Sequence, residues 1–271
     1  MLLLAPVVVV PLGFRLAPLT RPHAILVLRN ARFAQPVGAL GAVVSFLVPI
    51  GETAALLAAT WLVVCVIASL AGAVEIVESR SLHPIHLLPA GALGVLSVAA
   101  AWLVAFRSGH DFGYSPTIAE LTAVHFHYAG FAAVMMSALV LKGLANASAR
   151  TRRVGAGAGL LILFGTPITA TGVATGVAVL TVIGPVVLAA GILTVSALTA
   201  FVVAPGMRSR ARWPLTASAA GVAIPMLLGV DYAAARVLPI RSLDIQTMAL
   251  VHGDLNALVF ALLGFVGWML A

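Results

Sequence analysis

The sequence predicts an all-α protein, a polytopic transmembrane bundle of eight or nine spans. Hydrophobic residues make up 62% of the 271 residues and charged residues only 8%. Soluble domains are about half apolar and about a quarter charged. The mean hydropathy is +1.15, and the apolar residues are gathered into runs long enough to cross a bilayer. These observations predict an integral membrane protein.

Eight apolar runs have spanning length, and a shorter run precedes them. The opening stretch, residues 1–14, would reach about 20 Å as a helix and is interpreted as a ninth, incomplete span. No repeat and no low-complexity linker divides the chain, so residues 1–271 are expected to form a single integral membrane domain. The eight longer runs fall near residues 35–50, 52–74, 86–106, 117–141, 154–174, 177–203, 214–235 and 247–270.

Lysine and arginine are distributed unequally between alternate loops, which predicts orientation because these residues favour the cytoplasmic side. We expect a cell-membrane protein with its N-terminus outside, the Asp111 loop outside and its C-terminus in the cytoplasm. The same bias explains the net charge of +7, and no nucleic acid is expected as a partner. Only Arg107, Arg236 and Arg241 fall on the predicted outer side. The other twelve basic residues are Arg15, Arg21, Arg29, Arg32, Arg80, Lys142, Arg150, Arg152, Arg153, Arg208, Arg210 and Arg212.

A glutamate, two histidines and a tyrosine lie close together within the predicted span at residues 117–141. Glu120, His125, His127 and Tyr128 fall within nine residues at membrane depth, where polar groups are costly to bury. In an α-helix, His125 and His127 diverge by about 200° and do not easily share one metal ion. Glu120 and His127 are seven residues apart and fall nearly on one stripe. This run is the predicted functional centre.

The last predicted span carries a second polar island, His252-Gly-Asp-Leu-Asn256. His252 and Asn256 are four residues apart and share a helix face. Counted from the outer ends of their spans, His127 lies about 15 Å deep and Asn256 about 13 Å deep. The two islands are therefore expected to converge in the outer half of the membrane.

A further polar cluster lies on the predicted cytoplasmic side. It contains Glu75, Glu78, His83 and His86, with Pro84 between the two histidines. Because proline interrupts a helix, this cluster is interpreted as an interfacial loop, and a second metal site is the alternative.

Small residues permit close contact between helices, as in Gly155-Ala-Gly157-Ala-Gly159 and in Gly172-Val-Ala-Thr-Gly176. A homo-oligomer formed through such faces is one expected partnership. The lipid bilayer is the other.

Three functional classes fit the polar islands. The first is a metal-dependent enzyme or redox protein, in which His125, His127 and His252 bind zinc, copper, iron or a b-type haem. The alternative is a proton-coupled transporter, because intramembrane Glu and His residues relay protons. The third is a scaffold whose histidines only form hydrogen bonds between helices. The candidate catalytic residues are Glu120, Tyr128 and Asn256.

Two strings carry a family resemblance: Leu121-Thr-Ala-Val-His-Phe-His-Tyr-Ala-Gly-Phe131 and, in the final span, His252-Gly-Asp-Leu-Asn256-Ala. They resemble the YndJ-like family of multi-span membrane proteins, over most of the chain. The resemblance implies the membrane class and the choice of residues but no particular chemistry. The His-x-His string is also similar to a helix of haem-copper oxidase subunits, which need an adjacent histidine pair that this chain lacks. A simpler b-type haem protein using His125 or His127 together with His252 stays open.

Overall fold

The computed structural model describes residues 1–110 and 112–271, and Asp111 with its predicted outer position lies outside the described residues. The described residues form helices joined by short loops, with no strand among them, which confirms the all-α prediction. They form two compact units, residues 1–135 and 136–271, and each unit is treated by itself. The single membrane domain stays a prediction.

Nine helices follow one another along the described residues. Seven of them are long and apolar enough to cross a membrane, which confirms a multi-span protein. The helices are α1 (Ala5–Leu16), α2 (Pro22–Ser45), α3 (Glu52–Ser79), α4 (Pro84–Ser108), α5 (Pro116–Gly143), α6 (Ala149–Thr175), α7 (Ala178–Gly206), α8 (Ser209–Ala234) and α9 (Ile245–Met269), of which α3 to α9 are the seven.

The first two helices differ from the rest. Helix α1 reaches only about 18 Å, roughly half of a bilayer core, in agreement with the predicted incomplete span. Helix α2 begins at Pro22 and not near residue 35, where the apolar run was predicted to start. Arg29 and Arg32 interrupt that run in the sequence, but their side chains are exposed and the helix continues through both positions. These charges leave α2 outside the set of seven apolar spans.

Glycines bring the helices of the first unit into close contact. A Cβ atom added at Gly41 would lie 2.7 Å from the Leu57 carbonyl oxygen, and one added at Gly72 would lie 2.5 Å from the Ala90 carbonyl oxygen. The backbones of α2, α3 and α4 therefore approach one another closely. At the turn before α3, the Gly51 N–H, at φ +148°, donates to the Arg107 carbonyl oxygen at 2.9 Å.

The second unit uses the same device between α6 and α7. An added Cβ at Gly172 would lie 2.6 Å from the Leu180 carbonyl carbon, and one at Gly165 would lie 2.9 Å from the Leu188 backbone nitrogen. In the same helix, an added Cβ at Gly155 would lie 2.7 Å from Leu144, which follows α5. These glycines therefore serve contacts inside the chain, whereas Gly157 faces open space. A homo-oligomer formed through the small-residue faces stays a prediction.

Irregular turns interrupt several helices where the polar islands lie. Residues Phe126–Ala133 of α5 and Leu255–Leu262 of α9 are π-helical, with backbone bonds that span one residue more than in an α-helix. Helix α8 is broken at Val222, because Pro225 lacks the N–H that would bond the Gly221 carbonyl. Such interruptions are common at functional sites.

Candidate functional site

His127 lies at the centre of the first unit and has no solvent exposure. Its Nε2 accepts a hydrogen bond from the Trp61 indole N–H of α3 at 3.1 Å, and its Nδ1 donates to the Ala123 carbonyl at 2.8 Å. The two rings stack at a centroid distance of 6.3 Å and an interplanar angle of 22°. Trp61 is itself fully buried.

The partners of His127 define its chemical state. An indole is only a donor and a carbonyl only an acceptor, so Nε2 is unprotonated and Nδ1 carries the hydrogen. A second proton on the ring would place two N–H groups of Trp61 and His127 against each other. Both nitrogens are therefore used by the protein, and a metal ligand at Nε2 would have to displace Trp61.

The other polar groups of α5 have separate surroundings. The Tyr128 hydroxyl donates to the Met1 carbonyl at 2.9 Å. The half-buried Glu120 interacts favourably with the charge of Arg107, the last basic residue of α4. His125 is half-buried and immediately precedes the π-helical segment, in which His127 lies.

Arg107 is buried near the C-terminal end of α4, where it holds the end of α2. Its Nη2 donates to the carbonyls of Ser45 at 2.7 Å and Val48 at 2.8 Å. The guanidinium group also lies 4.8 Å from the centre of the Phe46 ring. A cation at the C-terminal end of a helix is stabilised by the helix dipole.

In the second unit, His252 of α9 is anchored to the interrupted helix α8. Its Nδ1 donates to the Pro225 carbonyl at 2.7 Å. Because the acceptor is a carbonyl, Nδ1 carries the hydrogen, and in the neutral ring Nε2 keeps its lone pair. The ring lies against Gly229, where an added Cβ would be 3.2 Å from Cε1.

Two further residues shape this helix. The Asn256 side chain donates to the His252 carbonyl at 2.8 Å, so it bonds within α9 at the start of the π-helical segment. At the beginning of α9, the Asp244 carboxylate accepts bonds from the N–H groups of Thr247 and Gln246 and from the Thr247 hydroxyl. The bonds from Thr247, more than that from Gln246, lower the pKa of Asp244.

The predicted site residues are therefore only partly brought together. His252 and Asn256 adjoin each other, whereas Glu120, His127 and Tyr128 have three different partners. Within either unit, no three His, Cys, Asp or Glu side chains of the described residues form a group that could hold a metal ion. The convergence of the two islands stays a prediction.

The cluster near Glu75 is more ordered than the predicted interfacial loop. The Glu75 carboxylate is fully buried and accepts from the Thr20 N–H and the Arg21 N–H, both at 3.0 Å. It also bonds the Thr20 hydroxyl at 2.7 Å and His86 Nδ1 at 2.8 Å. Pro84 does not break a helix here but begins α4. Glu75 therefore joins the start of α2 to α3 and α4.

Sequence reasoning missed Trp61 and underrated Glu75. A tryptophan in an apolar run gives no sign that its N–H has a distant partner, and Trp61 and His127 are 66 positions apart. For Glu75 a signal existed, because a carboxylate in an apolar helix needs donors when it is buried.

The comparisons with known proteins bear on the whole chain. Neither a curated protein nor a solved structure matches it. A family model described as YndJ-like protein matches residues 1–260, which is nearly the full length. The chain therefore belongs to the YndJ-like family.

Proposed function

We propose that this protein is a proton-coupled membrane transporter in which His252 is the proton-carrying group. The observation that carries the proposal is the hydrogen bond from His252 Nδ1 to the Pro225 carbonyl at 2.7 Å. This bond orients a half-buried imidazole and leaves Nε2 as a proton acceptor.

The two histidine environments differ in what protonation does to them. A proton added to Nε2 of His252 leaves its bond to Pro225 intact, because Nδ1 already carries a hydrogen. A proton added to Nε2 of His127 breaks the bond from Trp61. A group that gains and loses protons while it keeps its orientation suits a relay. We therefore assign His127 a positioning role.

The backbone around His252 also favours transport. Transporters bind substrates and ions where membrane helices are interrupted. Helix α8 is broken at Val222, just before Pro225, and α9 is π-helical from Leu255, three residues after His252. Both interruptions adjoin the same imidazole. Glu120, half-buried in α5, is a second proton-relay candidate.

A metal or haem site is the second candidate function. Histidines that bind metals usually donate their other ring N–H to a carbonyl or carboxylate, and His252 has this arrangement. Zinc, copper, iron or a b-type haem would be bound through Nε2 of His252. In the first unit, His127 could bind a metal only by releasing Trp61. In such an enzyme or redox protein, the catalytic candidates are Glu120, Tyr128 and Asn256.

One variant separates these functions. Wild-type and His252→Gln protein are reconstituted in vesicles that contain a pH-sensitive dye. The vesicles then receive amino acids, sugars and divalent cations in turn. We expect solute-dependent pH changes in the wild type and their loss in His252→Gln, with thermal stability retained. His127→Gln is the comparison variant, for which we expect lowered stability.

Other outcomes decide against the transporter or against the role of His252. Solute-dependent pH changes that persist in His252→Gln refute the assignment of His252. A stoichiometric metal or a haem absorption band that is lost in His252→Gln supports the second candidate. Loss of stability in both variants, with no solute-dependent pH change and no bound metal or haem in the wild type, returns the histidines to a structural role.

A further inference from the structure

Three exposed arginines form a basic cluster on α1 and α2 of the first unit. They are Arg15, Arg29 and Arg32. Arg29 and Arg32 are three residues apart on one helix and share a face. The Arg32 guanidinium donates to the carbonyl of Phe14, next to Arg15, and the charges of Arg15 and Arg32 repel each other. The fold thus holds like charges close together.

No carboxylate of the described residues neutralises this cluster. The two ion pairs within the described part of the chain join Glu78 to His23 and Glu75 to His86. Guanidinium groups held close together, as Arg15 and Arg32 are, are stabilised when an anion binds between them. An anion from outside the protein therefore has no competing carboxylate here among the described residues.

The surface around the cluster is apolar and exposed. Leu26, Arg29 and Phe33 follow one another at helical spacing on α2, and Phe33 is 89% exposed. Val37, one turn further along, is 70% exposed. A face on which arginines border exposed aromatic and aliphatic side chains is typical of the boundary between lipid chains and headgroups.

We propose that Arg15, Arg29 and Arg32 bind the phosphate group of an anionic phospholipid, whose acyl chains cover Phe33 and Val37. Guanidinium groups match phosphate oxygens in pairs of parallel hydrogen bonds. Basic clusters beside a membrane are attracted to anionic lipids. A free phosphate ion offers the same oxygens but has no acyl chains to cover the apolar face. A phospholipid therefore fits both the arginine cluster and the apolar side chains beside it.

The test compares two double variants of the full chain with equal loss of charge. Arg15→Gln/Arg29→Gln retains the bond between Arg32 and Phe14 and so preserves the local fold. The matched control is Arg150→Gln/Arg153→Gln. Both of these arginines are exposed, and they are predicted to lie on the cytoplasmic side like the cluster. Each purified protein is titrated with phosphatidylglycerol or phosphatidylcholine in detergent micelles, and bound lipid is counted by native mass spectrometry.

We expect wild type and control to prefer phosphatidylglycerol. The cluster variant should bind it roughly 25-fold more weakly, about fivefold for each arginine removed. Equal binding of the two lipids by the wild type, or an equal loss in both variants, overturns the proposal. Inorganic phosphate is added in a separate arm. If it displaces phosphatidylglycerol at equal concentration, a free anion is the ligand and the lipid assignment is wrong.

Discussion

Replacement of Trp61 by phenylalanine tests how His127 is held. The change removes the indole N–H that bonds Nε2 at 3.1 Å and removes part of a fully buried ring. A buried acceptor left without its donor costs about 1–3 kcal/mol, although hydrogen bonds between membrane helices average about 0.6 kcal/mol. Complete truncation of a buried tryptophan costs about 3–5 kcal/mol, and phenylalanine keeps most of that packing.

These contributions predict that Trp61→Phe lowers the free energy of unfolding by about 2 kcal/mol, roughly 30-fold in the folding equilibrium. The measurement is denaturant unfolding in micelles, followed by far-UV circular dichroism. Trp213→Phe is the control, because Trp213 is 69% exposed. For this control we expect a change below about 0.5 kcal/mol.

A double-mutant cycle with His127→Leu separates the hydrogen bond from packing. His127→Leu alone leaves the Trp61 N–H buried without an acceptor. Together with Trp61→Phe, it removes both polar partners. The double variant should therefore be more stable than the sum of the single losses predicts, by about 1 kcal/mol. Losses that add within about 0.3 kcal/mol would refute the inferred hydrogen bond.

The remaining predictions concern the second unit, the Glu75 cluster and the topology. Gly229→Ala should weaken any His252-dependent signal in the vesicle assay, because the new Cβ would lie 3.2 Å from the ring. Glu75→Gln should lower the free energy of unfolding by about 2–3 kcal/mol. The side-chain NH₂ group of glutamine is a donor, and it would face N–H groups that now donate to the carboxylate. Reporter fusions after Lys142 should be cytoplasmic, and fusions after Asp111 should be external.

Each of these predictions has a matched control. A Cβ added at Gly157 faces open space, so Gly157→Ala should leave the vesicle signal unchanged. An equal loss of that signal in both glycine variants would contradict the argument from His252. Glu78→Gln removes an exposed ion pair and should cost less than about 1 kcal/mol. If Glu75→Gln costs no more than this, the carboxylate is not the link described above. A fusion after Arg210 should match the one after Lys142, and a cytoplasmic signal after Asp111 would overturn the orientation.

The fold class followed from the sequence because the membrane imposes one strong constraint. In lipid, every backbone polar group must be bonded within the chain, so long apolar runs become helices. Seven of the predicted runs accordingly coincide with helices α3 to α9. The limits of α2 were predicted less well, because an exposed arginine ends a hydropathy signal without ending a helix.

The choice of polar residues also came from the sequence, since burial in an apolar run marks a side chain that needs a partner. Which partner it takes was decided by tertiary structure. Trp61 reaches His127 across 66 positions, and Pro225 reaches His252 across 27. Neither pairing can be read from the sequence, because nothing in an apolar run shows that the Trp61 N–H has a distant acceptor. Pro225 indicates an interrupted helix but does not show which residue binds its carbonyl.

The protonation states of the two histidines show the same division. The sequence determined that the imidazoles lie in apolar runs of spanning length. Only the tertiary structure decided that an indole donor occupies Nε2 of His127, whereas a carbonyl holds Nδ1 of His252. The physical reason is that a tautomer depends on the donor or acceptor opposite each nitrogen, and helix packing brings that group from a distant part of the chain.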